Sequence, residues 1–294
     1  MGVSLTPRKF CTFDCIYCQL GKTTKKTTKR FFYVDIVEFK KELTRIINSN
    51  PRIDYISISG SGEPTLHKRL DKIIDVIKET TNNKYPVCVI TNSSLLYKKE
   101  VREEFKKADL IIPSLDSATK RSFCRIDRPH RQITFQKIIN GLIALRKEFK
   151  GKIWLEIMLL GGINDSLEEA EEFRKLVTRI NPDKVQLNLP VRPSGSKVVL
   201  PDYERVEKIK KIIGKKCEIV SSFYKEAQKK FSKSIQEDVA KYLNIRPATM
   251  KDLEKFLGIS KGNLAKHIKR MLSLGFIIRK MHNRKEYFVC NRAA

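Results

Sequence analysis

Cys11, Cys15 and Cys18 stand within one short stretch at a C-x3-C-x2-C spacing, with Tyr17 directly before the third. Three thiolates on one loop can hold three irons of a four-iron cluster. Such a cluster ordinarily takes four cysteines, so one iron is left for a ligand that is not a side chain. The rival readings are a zinc knuckle or three idle buried thiols. Zinc takes a closed set of four ligands, usually from two paired units; no second pair is present and no His lies near the loop. Cys88, Cys124, Cys217 and Cys290 are isolated in the sequence and read as packing residues. A clustered trio among an odd total of seven cysteines fits metal ligation in a reducing compartment better than a disulfide scaffold.

A loop of this kind needs a scaffold. Gly2 to Leu5 is expected as a short strand leading into it. Lys22 to Arg30 follows with no apolar residue, either a solvated loop or a phosphate-contacting one. Asp35 then caps a helix in which Ile36, Phe39, Leu43, Ile46 and Ile47 recur at helical spacing. Strands are expected at 53–59, 86–91, 109–115, 153–160 and 184–189. Helices are expected at 66–79, 97–107, 133–149, 166–180 and 201–213, with a last strand at 218–220. Alternation of this kind means parallel strands joined by crossover helices. A full eight-fold barrel usually needs about 250 residues, so the expected fold is α/β, a partial (β/α)6 TIM-like barrel. Its special residues fall at strand ends: Gly60, Ser61, Gly62, Glu63 and Pro64, then Asn92, then Ser114 and Asp116, then Gly162 to Asp165, then Arg192. Active sites of parallel α/β folds lie at the carboxyl ends of strands. Arg125, Asp127, Arg128 and His130 are read as a loop over that mouth, either meeting an anionic substrate or simply charged surface.

The C-terminal stretch has a different pattern. Three helices, at 235–243, 249–257 and 260–274, precede a hairpin that turns at His282–Asn283. This reads as a small C-terminal winged-helix domain with Lys261, Asn263, Lys266, His267 and Arg270 outward on its third helix. The expected organisation is a barrel over 1–221, a linker over 222–234 and the winged helix over 235–294.

The Cys11–Cys18 loop with its Tyr-Cys-Gln-Leu-Gly continuation, together with the Ser-Gly-Ser-Gly-Glu-Pro turn at 59–64, resembles radical S-adenosylmethionine (SAM) enzymes. The sequence is similar to a group near the wyosine-synthesis and glycyl-radical-activating enzymes, over about residues 2 to 220. Wyosine synthases carry further cysteines upstream for a second cluster; here there are none. Relatives in the group usually have a longer lead, so the start of this chain is expected to be truncated or misassigned.

The resemblance implies that Cys11, Cys15 and Cys18 ligate a [4Fe–4S] cluster whose open iron chelates S-adenosyl-L-methionine. One electron, from an external donor such as ferredoxin or flavodoxin, then cleaves the sulfonium to methionine and a 5′-deoxyadenosyl radical that abstracts hydrogen from the substrate. It also implies cofactor contacts. Glu63, or the backbone carbonyls of Gly60, Ser61 and Gly62, would hold the methionine ammonium. Ser114 and Asp116 would meet the ribose, with Asn92 in support; turn capping is the rival role for these three. Gly162 and Asn164 would lie under the adenine, and Tyr17 would pack at the adenine or the cluster. No catalytic side chain beyond the cluster is assigned.

Lys and Arg total 60 against 33 Asp and Glu, a formal net charge of +27. A field of that size attracts polyanions; a lysine-rich solvated surface is the plainer explanation. No apolar run reaches the length of a membrane span, and no signal peptide is expected, so the expected location is cytoplasmic. The first reading is therefore a radical SAM enzyme modifying a macromolecule, RNA before others. The second is modification or glycyl-radical activation of a protein or peptide. The third is an iron–sulfur transcription regulator whose winged helix binds DNA.

Overall fold

The structure is a computed structural model that describes residues 1–190, 192, 194–220 and 235–291. In chain order it comprises β1 (Gly2–Val3), β2 (Phe10–Cys11), β3 (Lys25–Lys26), α1 (Ile36–Asn48), β4 (Ile56–Ile58), α2 (Leu70–Thr80), β5 (Val87–Thr91), α3 (Lys99–Glu103) and β6 (Leu110–Pro113). Then come α4 (Lys120–Asp127), α5 (Phe135–Glu148), β7 (Lys152–Met158), α6 (Leu167–Ile180), β8 (Lys184–Asn188), α7 (Tyr203–Ile213) and β9 (Cys217–Ile219). Seven of these strands form one sheet in the order β1-β4-β5-β6-β7-β8-β9. Every neighbouring pair is parallel. Spatial order equals chain order, so each crossover steps one place the same way. That is the topology of a partial TIM-like barrel, as the alternation predicts, with the segment at 217–219 as its seventh strand.

Side-chain alternation divides the sheet into two faces. In β7, Ile153, Leu155 and Ile157 are buried while Trp154 and Glu156 are half-buried. The buried face continues through Ile56, Ile58, Val87, Val89, Val185 and Leu187 and packs on Leu70, Ile73, Leu142 and Phe173 of the helices. Each such side chain contributes about 1.5–3 kcal/mol on burial. The other face, half-exposed and more polar, lines the barrel interior.

Most helix starts follow their caps. The Asp35 side chain accepts from the Val37 and Glu38 N–H groups, and Ser166 from that of Glu169. The helix expected at 66–79 starts only at Leu70, because Pro64–Leu66 makes a single 3-10 turn and Arg69 has a left-handed φ of 63°. The helix expected at 97–107 is cut to α3: the N–H groups of Phe105, Lys106 and Ala108 bond three residues back, tightening the chain so that Phe105 is fully buried. The segment read as a mouth loop is partly helical. Arg125 and Asp127 belong to α4, which starts from a capping box between Thr119 and Ser122.

Beyond the barrel lie α8 (Ile235–Ile245), α9 (Met250–Leu257), α10 (Lys261–Ser273) and an antiparallel hairpin of β10 (Ile277–His282) and β11 (Lys285–Cys290). Its turn residues Asn283 and Arg284 both have positive φ, as a two-residue turn requires. Val239, Leu253, Leu264, Ile268 and Phe288 form a core separate from the barrel's. The expected linker over 222–234 lies outside the described residues. The unit meets the barrel just past the carboxyl end of β8. There Arg192 Nη1 donates to Pro247 O at 2.6 Å and to Asp252 Oδ2 at 3.2 Å, and a His282 ring nitrogen lies 3.2 Å from Pro190 O. Among the described residues, no helix is long and apolar enough to cross a membrane.

Gly141 in α5 tests how closely this helix packs on the turn before α3. A Cβ there would lie 2.6 Å from Tyr97 N and 2.7 Å from Leu96 C, both backbone atoms. Alanine would gain about 1 kcal/mol in helix propensity, but overpacking typically costs about 1–3 kcal/mol. Gly141→Ala is therefore expected to lower the urea midpoint at an unchanged m-value; a raised midpoint would show that the packing is looser than described.

Candidate active site

The cysteine loop runs between β2 and β3, which pair in parallel with Phe10 opposite Lys25 and Cys11 opposite Lys26. Its own turns close through Cys18 N to Cys15 O and Gly21 N to Cys18 O, both 3.1 Å. From outside, α4 holds it: Asp14 N donates to Asp127 O and Ile16 N to Ile126 O, each at 2.9 Å. The loop after β8 clasps its end, where Gly195 N donates to Cys18 O at 3.1 Å and a Cβ on Gly195 would fall 2.7 Å from Gly21 Cα.

Each cysteine has a polar neighbour. Asn92 Nδ2 lies 3.4 Å from Cys11 Sγ and 2.9 Å from Thr12 Oγ1. Cys15 Sγ donates to Asp127 Oδ1 at 3.4 Å, and Lys9 Nζ donates to Cys18 Sγ at 3.1 Å. Burial pushes the Cys11 thiol up to about 12, and holds that of Cys15 well above its ordinary value, aided by the adjacent Asp127 charge. Thiols in this setting ionise when a cation displaces the proton. Among the described residues no three Cys, His, Asp or Glu side chains converge tightly enough for a single metal ion. A cluster that takes one cysteine per iron does not ask for such convergence.

The Gly60–Gly62 turn presses against this loop. Lys9 N donates to Ser61 O at 2.5 Å, Glu63 N donates to Phe10 O at 3.1 Å, and Ser61 N donates to Ser4 Oγ at 3.2 Å. Gly60 has φ of 123°, and a Cβ on Gly62 would fall 2.1 Å from Phe10 O, so these positions require glycine. The Glu63 carboxylate is turned inward. Oε1 accepts from Thr65 N at 3.1 Å and from the hydroxyls of Thr65 and Thr91 at 2.6 Å each, and Oε2 accepts from Asn92 N at 2.8 Å. These bonds tie the end of β4 to the end of β5.

Apart from Arg192, which is spent on the C-terminal unit, the remaining strand-end residues also lie at this mouth. Ser114 N donates to Thr91 O, and Ser114 bridges to Glu156. Asp116 Oδ2 accepts from the Tyr17 hydroxyl and its Oδ1 from Met158 N at 2.8 Å. Asn164 is buried: Nδ2 donates to Asp116 O and Met158 O at 2.8 Å each, and Oδ1 accepts from Leu160 N at 2.7 Å. It therefore stitches the ends of β6 and β7 together. Gly162 has φ of 71° and donates its N–H to Asp165 Oδ1 at 2.8 Å.

Three groups at this mouth escape pattern reading. Lys9 is buried at a positive φ, its ammonium beside Cys18 and its charge favouring the Cys11 thiolate as well. Asp127 reads as part of a mouth loop; its place at the end of a helix, with its carboxyl on Cys15, does not show in the pattern. Glu156 has a signal that could have been used, a carboxylate in the middle of an otherwise apolar parallel strand. Burial raises Asp116 to about 6 despite its hydrogen bonds from Tyr17 and Met158. Burial, then the Asp116 charge, raises Glu156 to about 7, against the lowering bond from Asn188. The barrel interior thus collects carboxyl groups, although the chain as a whole is strongly basic.

A family model described as the radical SAM superfamily matches residues 5–177. A UPF0026 protein of Methanocaldococcus jannaschii is 32% identical over 300 residues, covering 99% of this chain and 92% of that one. A GTPase Obg of Brachyspira hyodysenteriae is 40% identical over 279 residues, 94% of this chain but 41% of that protein, so this chain spans less than half the length of that relative. A dual-specificity RNA methyltransferase of Lawsonia intracellularis is 27% identical over 213 residues, covering 70% of this chain and 58% of that one. Among solved structures, a radical SAM methyltransferase from Sphaerobacter thermophilus superposes with a TM-score of 0.57 at 18% identity, over 74% of this chain and 65% of that one, which shows a common fold.

The raised Glu156 carboxyl predicts a pH dependence of stability. The folded chain keeps a proton that the unfolded chain releases, so the contribution is present below the ordinary carboxylate range and is lost as pH rises through about 7. Urea unfolding of the metal-free chain should show Glu156→Gln losing less stability than wild type between about pH 5 and pH 8. A residual slope is expected from Asp116, which faces it. Parallel pH profiles would refute a proton-holding Glu156.

Proposed function

This chain belongs to the radical SAM superfamily and to the UPF0026 proteins, and on that premise we propose that it is an enzyme that modifies RNA by hydrogen abstraction. Members of the superfamily use a [4Fe–4S] cluster and SAM, fed by an external one-electron donor; we propose ferredoxin or flavodoxin for that role. With both bound, the pair supplies one-electron cleavage of the SAM sulfonium and a radical that takes hydrogen from the substrate.

The observation that carries the site assignment is the contact of the Gly60–Gly62 turn with the cysteine loop, where even a methyl group on Gly62 has no room. The donor set fits the cluster: Cys11, Cys15 and Cys18 as ligands, with the Lys9 ammonium beside Cys18 to offset thiolate charge. Glu63 already accepts four hydrogen bonds, so of the two candidates for the SAM ammonium the turn's backbone carbonyls are favoured. Glu63 then serves as a positioning residue. Asp116, with Tyr17 on one oxygen, and Ser114 face the ribose; Asn92 supports the loop by donating to Cys11 Sγ and Thr12 Oγ1. Asn164 shapes the loop under the adenine through backbone bonds, and Gly162 gives that loop its left-handed turn.

RNA is proposed as the substrate on two grounds. One is the net charge of +27. The other is the similarity to an RNA methyltransferase. The C-terminal unit is proposed to be a winged helix whose exposed α10 residues Lys261, Asn263, Lys266 and Arg270 add to the nucleic-acid surface.

The test is anaerobic cluster reconstitution, dithionite reduction and assay of 5′-deoxyadenosine. Wild type should form it and Cys15→Ala should not; equal rates would sink the radical assignment. Gly62→Ala should bind markedly less iron while keeping its far-UV spectrum, because its Cβ displaces the Phe10 carbonyl from the loop. RNA that copurifies and leaves at high salt supports the substrate class. A protein modified in its place, with no RNA bound, would redirect it.

A further inference from the structure

We propose that the segment from Lys25 to Phe32 is a stacking ledge that leads single-stranded RNA to the cysteine loop. The inference deepens the RNA reading and rests on it. Phe31 and Phe32 are 62% and 57% exposed and consecutive in the chain, on a segment bonded to the turn that follows Glu63. Leaving one phenylalanine in water forgoes about 1.5–3 kcal/mol, so an uncovered pair calls for a partner.

These rings are held by a fixed backbone. Phe31 N donates to Leu66 O and Lys68 N donates to Phe31 O, both at 2.8 Å, which pins the segment beside the 3-10 turn that follows Glu63. Arg30 is the root of the ledge. Its guanidinium donates to Thr65 O at 2.7 Å and His67 O at 2.8 Å and pairs with Glu104, with its side chain 9% exposed. At the other end Thr27 N donates to Cys11 O at 2.9 Å. The ledge is thus continuous with the proposed first cluster ligand.

Charge selects the occupant. From Lys22 to Tyr33 there is no acidic residue, while Lys22, Lys25, Lys26 and Lys29 are exposed. Lys68 Nζ stands 5.6 Å from the Phe32 ring centroid. Lys26 Nζ donates to Arg128 O at 3.0 Å, which brings the ledge alongside α4's end. Exposed aromatic faces interleaved with cations match splayed bases on a phosphate backbone. A duplex keeps its bases stacked inside and has none to lay on an exposed phenyl ring.

The experiment is fluorescence anisotropy with the full chain, with and without reconstituted cluster, using a labelled oligouridylate of about 20 nucleotides and a hairpin duplex as competitor. Wild type should prefer the single strand. Phe31→Ala/Phe32→Ala should weaken binding at least about tenfold at fixed salt, and Phe31→Trp/Phe32→Trp should restore it. Lys25→Ala/Lys29→Ala should weaken binding and flatten the salt slope by about 0.7 for each phosphate left without its lysine. Wild-type affinity in the double alanine variant, with wild type binding the strand, would overturn the ledge and leave the RNA reading standing. No binding by wild type would bring down both.

Discussion

The Glu63 carboxylate is the joint on which this site depends. It gathers the 3-10 turn after β4, the last residue of β5 and the Asn92 N–H, while its own N–H reaches the backbone of Phe10 at the head of the cysteine loop. Segments from three separate stretches of chain meet there. Burial works against the carboxylate, raising its pKa, and the four accepted bonds work the other way. Such a group is tolerated only when nearly all its lone pairs are used. The geometry is therefore all-or-none: removing one donor leaves an inward-facing acid underpaired and frees the turn that fixes the cysteines.

Electrostatics separate the molecule into two regions. Inside the mouth, Asp116, Asp127 and Glu156 are all pushed up by burial, and Asp116 and Asp127 oppose each other's ionisation. Outside, lysines dominate. A cationic small molecule gains from the interior and a polyanion from the rim, so the two ligands of the proposed reaction would be drawn to different depths. Lys9 is the exception, a cation carried inward beside Cys18.

Much of this was legible in the sequence, because strands with alternating burial and helices with apolar stripes betray themselves by period. β4 to β9 lie within or close to the expected spans, and the strand-end residues converge except for Arg192, which holds the C-terminal unit. What stayed illegible depends on tertiary partners. The capping box of α4 uses Ser122 where the recognisable pattern has Glu or Gln, and its buried Asp127 looks like an ordinary surface acid. Glu63 and Asn164 were legible as members of the candidate site. That both side chains spend themselves on internal hydrogen bonds follows only from where neighbouring strands end. Lys9 depends on a left-handed backbone that nothing in a lysine announces.

Among the described residues the sheet has two unjoined ends. β1, with two residues, and β9, with three, are not partners of each other. A closed barrel has a fixed circumference set by strand number and stagger; an interrupted one can widen by small changes of twist spread over its crossovers. Its edges are the usual hazard, since unpaired strand backbone recruits other chains. Here the edges are so short that a foreign strand would find only a few groups to bond. The brevity of the first and last described strands thus leaves little open backbone for another chain to pair with.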